Sequence, residues 1–399
     1  MRILYLCHRF PYPPNSGAKV RAFNTIRHLS QRHHVVVATL ETEPGEAARG
    51  AGLSAYCAQY IYEPLSPLAS KLRMALSLLS TAPATMGAFR NLRLKRRVAD
   101  MMAHERFDMV MVHSSSVVQY VDLDVDCPLF IDFVDMDSQK WLVYARHRGF
   151  PLNIGYWLEG TKLARAEAAL ARHARLSTCA TAAETESLLD MAAGTPADWF
   201  PNGVDLEFFH PSDEPYETDL LSFIGRMDYY PNAECMVDFC TNVLPLIRQR
   251  RPDVRLSIVG AEPTAEVRRL GALSGVEVTG TVDDVRPWVW RSAATVAPLN
   301  IARGTQNKIL EAMAMGVPVV CSDLAARGVD AVVGEHLLAA HDQQGYADTI
   351  VGLLEDCNAR DRLAAAGRRR VETHHNWEVA MARLDRLLEA HFAEHERAA

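Results

Sequence analysis

A repeated unit constrains this chain more than any other feature: a short apolar run, a turn-forming residue, then a stretch with helical periodicity. Leu220–Ile224, Arg255–Val259 and Val276–Thr279 end at Gly225, Gly260 and Gly280, and Thr295–Ala297 ends at Pro298. Glycine and proline there let the backbone turn sharply above a sheet edge. The runs are too short for buried helices, so they read as strands. Alternation with helices such as 232–250 then predicts a parallel α/β sheet, completed by Val317–Cys321. The same plan opens the chain. Ile3–Cys7 is a strand, His8 to Gly17 a loop, Val20 to Gln31 a helix through Val20, Phe23, Ile26 and Leu29, and His34–Leu40 a strand. Met109–Val112, Leu129–Phe133 and Leu176–Ala180 add strands, and Phe150–His173 a long helix.

With 399 residues the chain exceeds one ordinary core, so two domains are expected. The turn-rich stretch Trp199–Pro215 places the boundary, giving residues 1–200 and 201–376, with a final helix at 377–395. A net charge of −7 argues against nucleic acid as a partner. The eight cysteines are scattered without a CxxC pair, and no leader precedes the first strand, so reduced thiols in a cytoplasmic chain are expected. No apolar run approaches the ~18 residues of a membrane span; Met74–Leu79 comes nearest.

The strongest motif runs from Gly304 through Thr305, Gln306, Asn307, Lys308 and Glu311 to Gly316 and Val320. A loop feeds a helix that ends before a buried strand. Free N–H groups and the positive dipole end suit such a helix N-terminus to a diphosphate. Lys308 reaches the same phosphates from the first turn, and Glu311, one turn further in, can accept from ribose hydroxyls. A plain α/β crossover with a solvated Glu311 is the alternative.

These motifs resemble those of retaining glycosyltransferases of family four. Matching pieces are Asn15 through Arg21, Asn202-Gly203-Val204-Asp205, Phe223 through Met227, Ile258-Val259-Gly260, Val278-Thr279-Gly280 and Asn307 through Val320. Ile131 through Trp141 is similar to the sugar transferases of bacterial exosortase and exopolysaccharide loci. The resemblance implies an α/β fold of the GT-B type, two facing Rossmann-like domains with a cleft between them. The C-terminal domain would bind the nucleotide-sugar, and the last helix would pack back on the N-terminal domain. A nucleotide-diphosphate sugar would be the donor and a lipid-linked or other glycan the acceptor, with no cofactor and no metal.

Under this resemblance Glu311 holds the donor ribose, Arg226 binds phosphate, Gly17 lets backbone approach the phosphates, and His113 lies near the donor sugar. Two positions depart from the family. Arg303 stands where a first glutamate contacts the sugar, and arginine cannot accept a hydrogen bond. Pro231 replaces a lysine, and Lys308 is expected to supply that charge. The bland alternatives are a Pro/Gly turn around Gly17 and a structural His113.

Lys19 and Arg21 are candidate charges beside Gly17. Asp132, Asp135 and Asp137 cluster after a strand; such carboxylates can bind metal, act as acid and base or meet acceptor hydroxyls. The resemblance favours an acceptor or loop-ordering role, the alternative being that Asp137 or Ser138 caps the next helix. Segment 68–98 is helical in parts and ends in Arg90, Arg93, Lys95, Arg96 and Arg97 among apolar residues. It is either a solvated charged face or a contact with an anionic membrane at the inner face of the plasma membrane. Two patterns are discounted. Ser16–Lys19 spells an acyl-enzyme SxxK without its companion motifs, and His391 to His395 spells a zinc-peptidase HxxEH without room for a further ligand.

The expected reaction is retaining glycosyl transfer, with Arg226, Lys308 and the helix N-terminus at Asn307 neutralising the leaving diphosphate. His113, Arg226, Lys308 and Glu311 are the catalytic candidates. Two rivals stand beside it: a sugar-nucleotide epimerase on the same plan, and a non-catalytic sugar-nucleotide-binding subunit. No GxGxxG follows the first strand, which disfavours a dinucleotide oxidoreductase.

Overall fold

The computed structural model describes residues 1–14, 16–77, 80–123 and 127–392. Asn15, Leu78, Leu79 and the last three residues of the HxxEH pattern lie outside that set, as does the end of the expected helix 377–395. The chain divides into two compact units, Met1–Pro201 with the chain from Met381 onward, and Asn202–Ala380.

Unit 1 is built on β1 (Arg2–Cys7), β2 (His34–Glu41), β3 (Gln59–Pro64), β4 (Met109–His113), β5 (Leu129–Val134), β6 (Leu176–Cys179) and β7 (Ala197–Trp199). These pair in the order β3-β2-β1-β4-β5-β6-β7, every pairing parallel. The central strands carry the core: Ile3, Leu4, Leu6, Val110, Val112 and Ile131 are fully buried. Each such side chain stabilises by roughly 1.5–3 kcal/mol relative to exposure.

The α-helices of five residues or more between these strands are α1 (Gly17–Leu29), α2 (Pro67–Ser77), α3 (Ala84–Ala88), α4 (Leu92–His104), α5 (Asp137–His147), α6 (Leu152–His173) and α7 (Ala182–Met191), beside the short helix Glu46–Arg49. Gly17 to Arg21 therefore form the first turns of α1, with Ser16 at the N-cap position, rather than a glycine-rich loop. The expected helix from Phe150 begins at Leu152 and is preceded by a separate helix, α5.

Unit 2 has β8 (Glu217–Ile224), β9 (Arg255–Val259), β10 (Val276–Gly280), β11 (Ser292–Ala297), β12 (Val319–Ser322) and β13 (Leu338–Ala340), in the order β10-β9-β8-β11-β12-β13 and again parallel. Its helix α8 (Tyr230–Asp238) runs through a π turn at Phe239–Val243 into Leu244–Arg250, interrupting the single helix read from sequence. Pro231 sits in the first turn of α8, where its missing N–H costs nothing. α9 (Asn307–Ala314) follows β11.

The last helix, α10 (Trp377–Phe392), enters unit 1 from Met381 on. There Asp385 meets His28 at 2.8 Å, Arg383 pairs with Asp198 at 2.8 Å over the Trp199 ring, and Phe392 packs 6.0 Å from Phe130.

Candidate functional site

In open parallel sheets, ligands bind at the carboxyl ends of the strands where the strand order reverses. In unit 2 that point lies between β8 and β11, which pair with each other while their successors run outward in opposite directions. Gly225 and Arg226 follow β8, and the loop after β11 leads through Arg303, Gly304 and Thr305 to α9.

The geometry here requires glycine. A Cβ on Gly260 would stand 1.8 Å from the Gly225 carbonyl oxygen, so the ends of β8 and β9 approach as closely as backbone allows. Gly304 turns the loop at φ 64°. No side chain caps α9, and its first bonds run from the Ile309 and Leu310 N–H groups to the Gln306 carbonyl. Gln306 folds its amide back onto the Arg303 and Gly304 carbonyls at 3.0 and 3.3 Å, shaping the loop rather than extending from it. The Thr305 hydroxyl is buried and lacks a partner among the described residues.

Lys308 donates to Asn232 Oδ1 and lies 4.8 Å from the centroid of the Phe223 ring. Burial lowers its ammonium to about 8. Burial also raises Glu311 to about 7, against the pull of Lys308. A bound anion would favour the charged form of Lys308 and oppose its desolvation. Asn232, 4% exposed, also donates to the Arg226 carbonyl at 2.8 Å. It brackets the two loops, a role that sequence reasoning missed although it stopped at the adjacent Pro231. Arg226 itself is half-exposed and held by Asp228 at 2.8 Å and Glu262 at 2.7 Å. Hydrogen bonds from Arg226 lower the Asp228 carboxyl.

In unit 1 the strand order reverses between β1 and β4. His8 directly follows β1, and His113 closes β4. Their rings stack at 6.0 Å with 9° between planes. His113 is 2% exposed, and its Nδ1 lies 3.3 Å from Asp132. His8 went unremarked in the sequence because it sits in a Pro-rich loop. Burial and the neighbouring His113 lower its imidazole, and its Nδ1 is buried without a partner among the described residues.

The charges expected beside Gly17 take another course. Arg21 is 1% exposed, binds Asp132 through Nε at 2.7 Å and Nη2 at 3.0 Å, donates to the Phe200 carbonyl at 2.9 Å and stacks on the Phe200 ring. Asp132 is fully buried and also accepts from Thr178 at 3.1 Å. Burial works to raise its carboxyl, but Arg21 and His113 outweigh it and hold it below the usual range. Arg21 and Asp132 thus form an internal bridge instead of a surface for an acceptor. Lys19 is likewise buried against Glu46 at 2.6 Å.

The Asp137 and Ser138 cap is also corrected. Met136 holds the N-cap position of α5 and no local side chain caps the helix. Glu184 accepts from the Met136 N–H at 2.8 Å and Glu167 from the Ser138 N–H at 3.4 Å, while Asp137 pairs with Lys140. Asp135, half-buried beside them, is raised to about 7 by burial and by Glu184 and Asp137. Val134 just before it adopts φ 68°, unfavourable for a β-branched residue. Among the described residues no cluster of three His, Cys, Asp or Glu side chains is placed to hold a metal.

A family model described as "Glycosyl transferases group 1" matches residues 218–356. A phosphatidyl-myo-inositol mannosyltransferase of Mycobacterium leprae is 32% identical over 209 residues, 50% of this chain and 54% of that protein. The chain therefore matches about half the length of this curated relative. Among solved structures, Anabaena Alr3699/HepE in complex with UDP-glucose is similar at a TM-score of 0.69 and 16% identity, covering 98% of this chain and 100% of that one. Sucrose-phosphate synthase of Thermosynechococcus elongatus is similar at 0.72 and 18%, covering 99% and 100%. Residues 218–356 thus match the group 1 glycosyltransferase model, in a chain whose two α/β units share the GT-B fold of these solved structures.

Proposed function

We propose that this chain transfers a glycosyl group from a nucleoside-diphosphate sugar to a hydroxyl of a lipid-linked or other glycan acceptor, with retention, in exopolysaccharide assembly at the cytoplasmic face of a membrane. The observation that carries the donor half is the uncapped α9 N-terminus at the β8/β11 reversal, with Lys308 and Glu311 behind it and the Gly225–Gly260 contact beside it. The relative that acts on phosphatidyl-myo-inositol and the neighbour that holds UDP-glucose support the substrate classes. The likeness of Ile131 through Trp141 to exopolysaccharide-locus transferases supports the pathway.

In this reading the α9 N–H groups and Lys308 receive the diphosphate, and Glu311 accepts from the ribose hydroxyls. The bond from the anomeric carbon to the diphosphate oxygen breaks and the acceptor oxygen bonds to that carbon. The acceptor proton passes to the departing phosphate. Fixed positive charge at that oxygen stabilises the transition state without reorganisation. Arg226 contributes once phosphate displaces Asp228 and Glu262. With Arg303 in place of a carboxylate, sugar hydroxyls would be read largely by backbone.

The hold of two carboxylates on Arg226 also favours a second reading, a subunit that binds sugar nucleotides without turnover. Titration of the chain with UDP-, GDP- and ADP-sugars tests the site. One donor should saturate, and Glu311→Ala should weaken it by about tenfold or more. Unchanged affinity in the variant refutes the assignment. Binding without transfer to any acceptor extract selects the second reading.

A further inference from the structure

Helix α2 buries none of its residues. Leu68, Leu72 and Leu76 recur at a spacing of four, so they share one face, and they are 80, 62 and 59% exposed. The helix is held by its polar side: Ser70 donates to the Ala88 carbonyl at 2.7 Å and Arg73 to the Gly87 carbonyl at 2.9 Å. Its last turn is tied to α6, where Lys162 donates to the Ser77 carbonyl at 2.9 Å. The start of α6 is just as bare. Phe150, Leu152, Ile154 and Trp157 are 82, 56, 48 and 54% exposed. Monomeric proteins rarely leave so many large apolar groups in water without a use.

Cations flank both sets. Lys71, Arg90, Arg93, Lys95, Arg96 and Arg146 are all exposed. Arg93, Lys95 and Arg96 lie in the first turns of α4, which has no acidic residue in its first turn. Positive side chains there oppose the helix dipole, an arrangement that an external anion relieves. A cavity of about 510 Å³, lined in part by Leu65, Arg73, Arg90, Leu92 and Arg93, opens at the same place. All this sits in a chain whose net charge is −7, so the positive patch is local.

We propose that this face of unit 1 docks on a lipid bilayer containing anionic lipids. Phe150, Leu152, Ile154 and Trp157, with the leucine stripe of α2, enter the boundary between headgroups and acyl chains. Arg90, Arg93, Lys95 and Arg96 meet lipid phosphates. Aromatic and aliphatic groups interleaved with Lys and Arg match a headgroup interface, and the charge is complementary to an anionic surface. The proposal deepens the membrane placement put forward above and rests on it, but none of these residues belongs to the donor site, so the two can be tested apart.

The test is co-sedimentation of the full chain with vesicles of phosphatidylcholine, alone or with about 30% phosphatidylglycerol. Binding is expected only to the second kind, falling about tenfold or more between low and physiological salt. Phe150→Ser/Trp157→Ser and Arg90→Glu/Arg93→Glu should each weaken it by about tenfold or more, with thermal unfolding and sugar-nucleotide binding unchanged. Vesicle binding by a chain that binds no sugar nucleotide still supports the proposal. It is overturned by no binding, by equal binding to both vesicles, or by variants that bind as the wild type does. A wild-type dimer that becomes monomeric in Phe150→Ser/Trp157→Ser would assign the face to a second copy and also overturn it.

Discussion

Replacing Asp132 by Asn removes the charge of a carboxylate that is fully buried against Arg21, itself 1% exposed. Breaking a buried pair by removing one partner costs about 3–5 kcal/mol, because the other charge is left uncompensated. Two features place this case near the lower end. Arg21 keeps its bond to the Phe200 carbonyl at 2.9 Å and its stacking 3.6 Å from the Phe200 ring centroid, and the Asn amide still offers one acceptor. The expected loss is therefore about 3 kcal/mol. Urea unfolding at neutral pH, followed by hydrogen exchange so that the units are resolved, should place the loss in unit 1 alone. The pH dependence gives a second check. The folded Asp132 carboxyl is depressed, so its contribution is present above the unfolded value near ~3.9 and is lost as pH falls below it. Asp132→Asn should lose less stability than the wild type across that acid window. A loss under about 1 kcal/mol, or one shared equally by unit 2, would refute the argument that Arg21 depends on this carboxylate.

Two further outcomes follow from the same reasoning. Gly260→Ala puts a methyl 1.8 Å from the Gly225 carbonyl oxygen and should cost about 2–4 kcal/mol in the stability of unit 2, together with donor affinity, measured by unfolding and by nucleotide titration. Glu167 is fully buried with one carboxylate oxygen lacking a partner among the described residues, and burial raises it to about 8. Because the folded value is raised, its contribution is full below the unfolded value near ~4.3 and is lost as pH rises toward 8. Glu167→Gln should flatten that decline and stabilise unit 1 at high pH by on the order of 2 kcal/mol, read from unfolding across the pH range.

Local pattern carried the strands well. Arg255–Val259 matches the sequence reading residue for residue, and β1, β4 and β5 differ by one at an end, because each is a largely buried parallel strand rich in large apolar residues. The edge and short strands β3, β7 and β13 were not legible. β3 buries only Ile61, and β7 and β13 have three residues each, so neither period nor length marks them. In the donor site, the motif from Gly304 to Glu311 was legible because a glycine loop feeding a helix is a local arrangement. Asn232 was not, because its contact with Lys308 spans many residues of chain.

The order of apolar runs and turns in the sequence thus determined two parallel α/β sheets and a phosphate-suited helix start, since both depend on neighbours along the chain. Tertiary structure alone decided which charges face inward. Lys19, Arg21, Asp132, Asp137 and Ser138 are of types that could all have met a ligand. Packing instead set Lys19 on Glu46 and Arg21 on Asp132 and gave the Ser138 N–H to Glu167, whereas Asp137 pairs with Lys140 three residues along its own helix. A buried charge must find its partner wherever the fold brings one, and that partner need not be close in sequence.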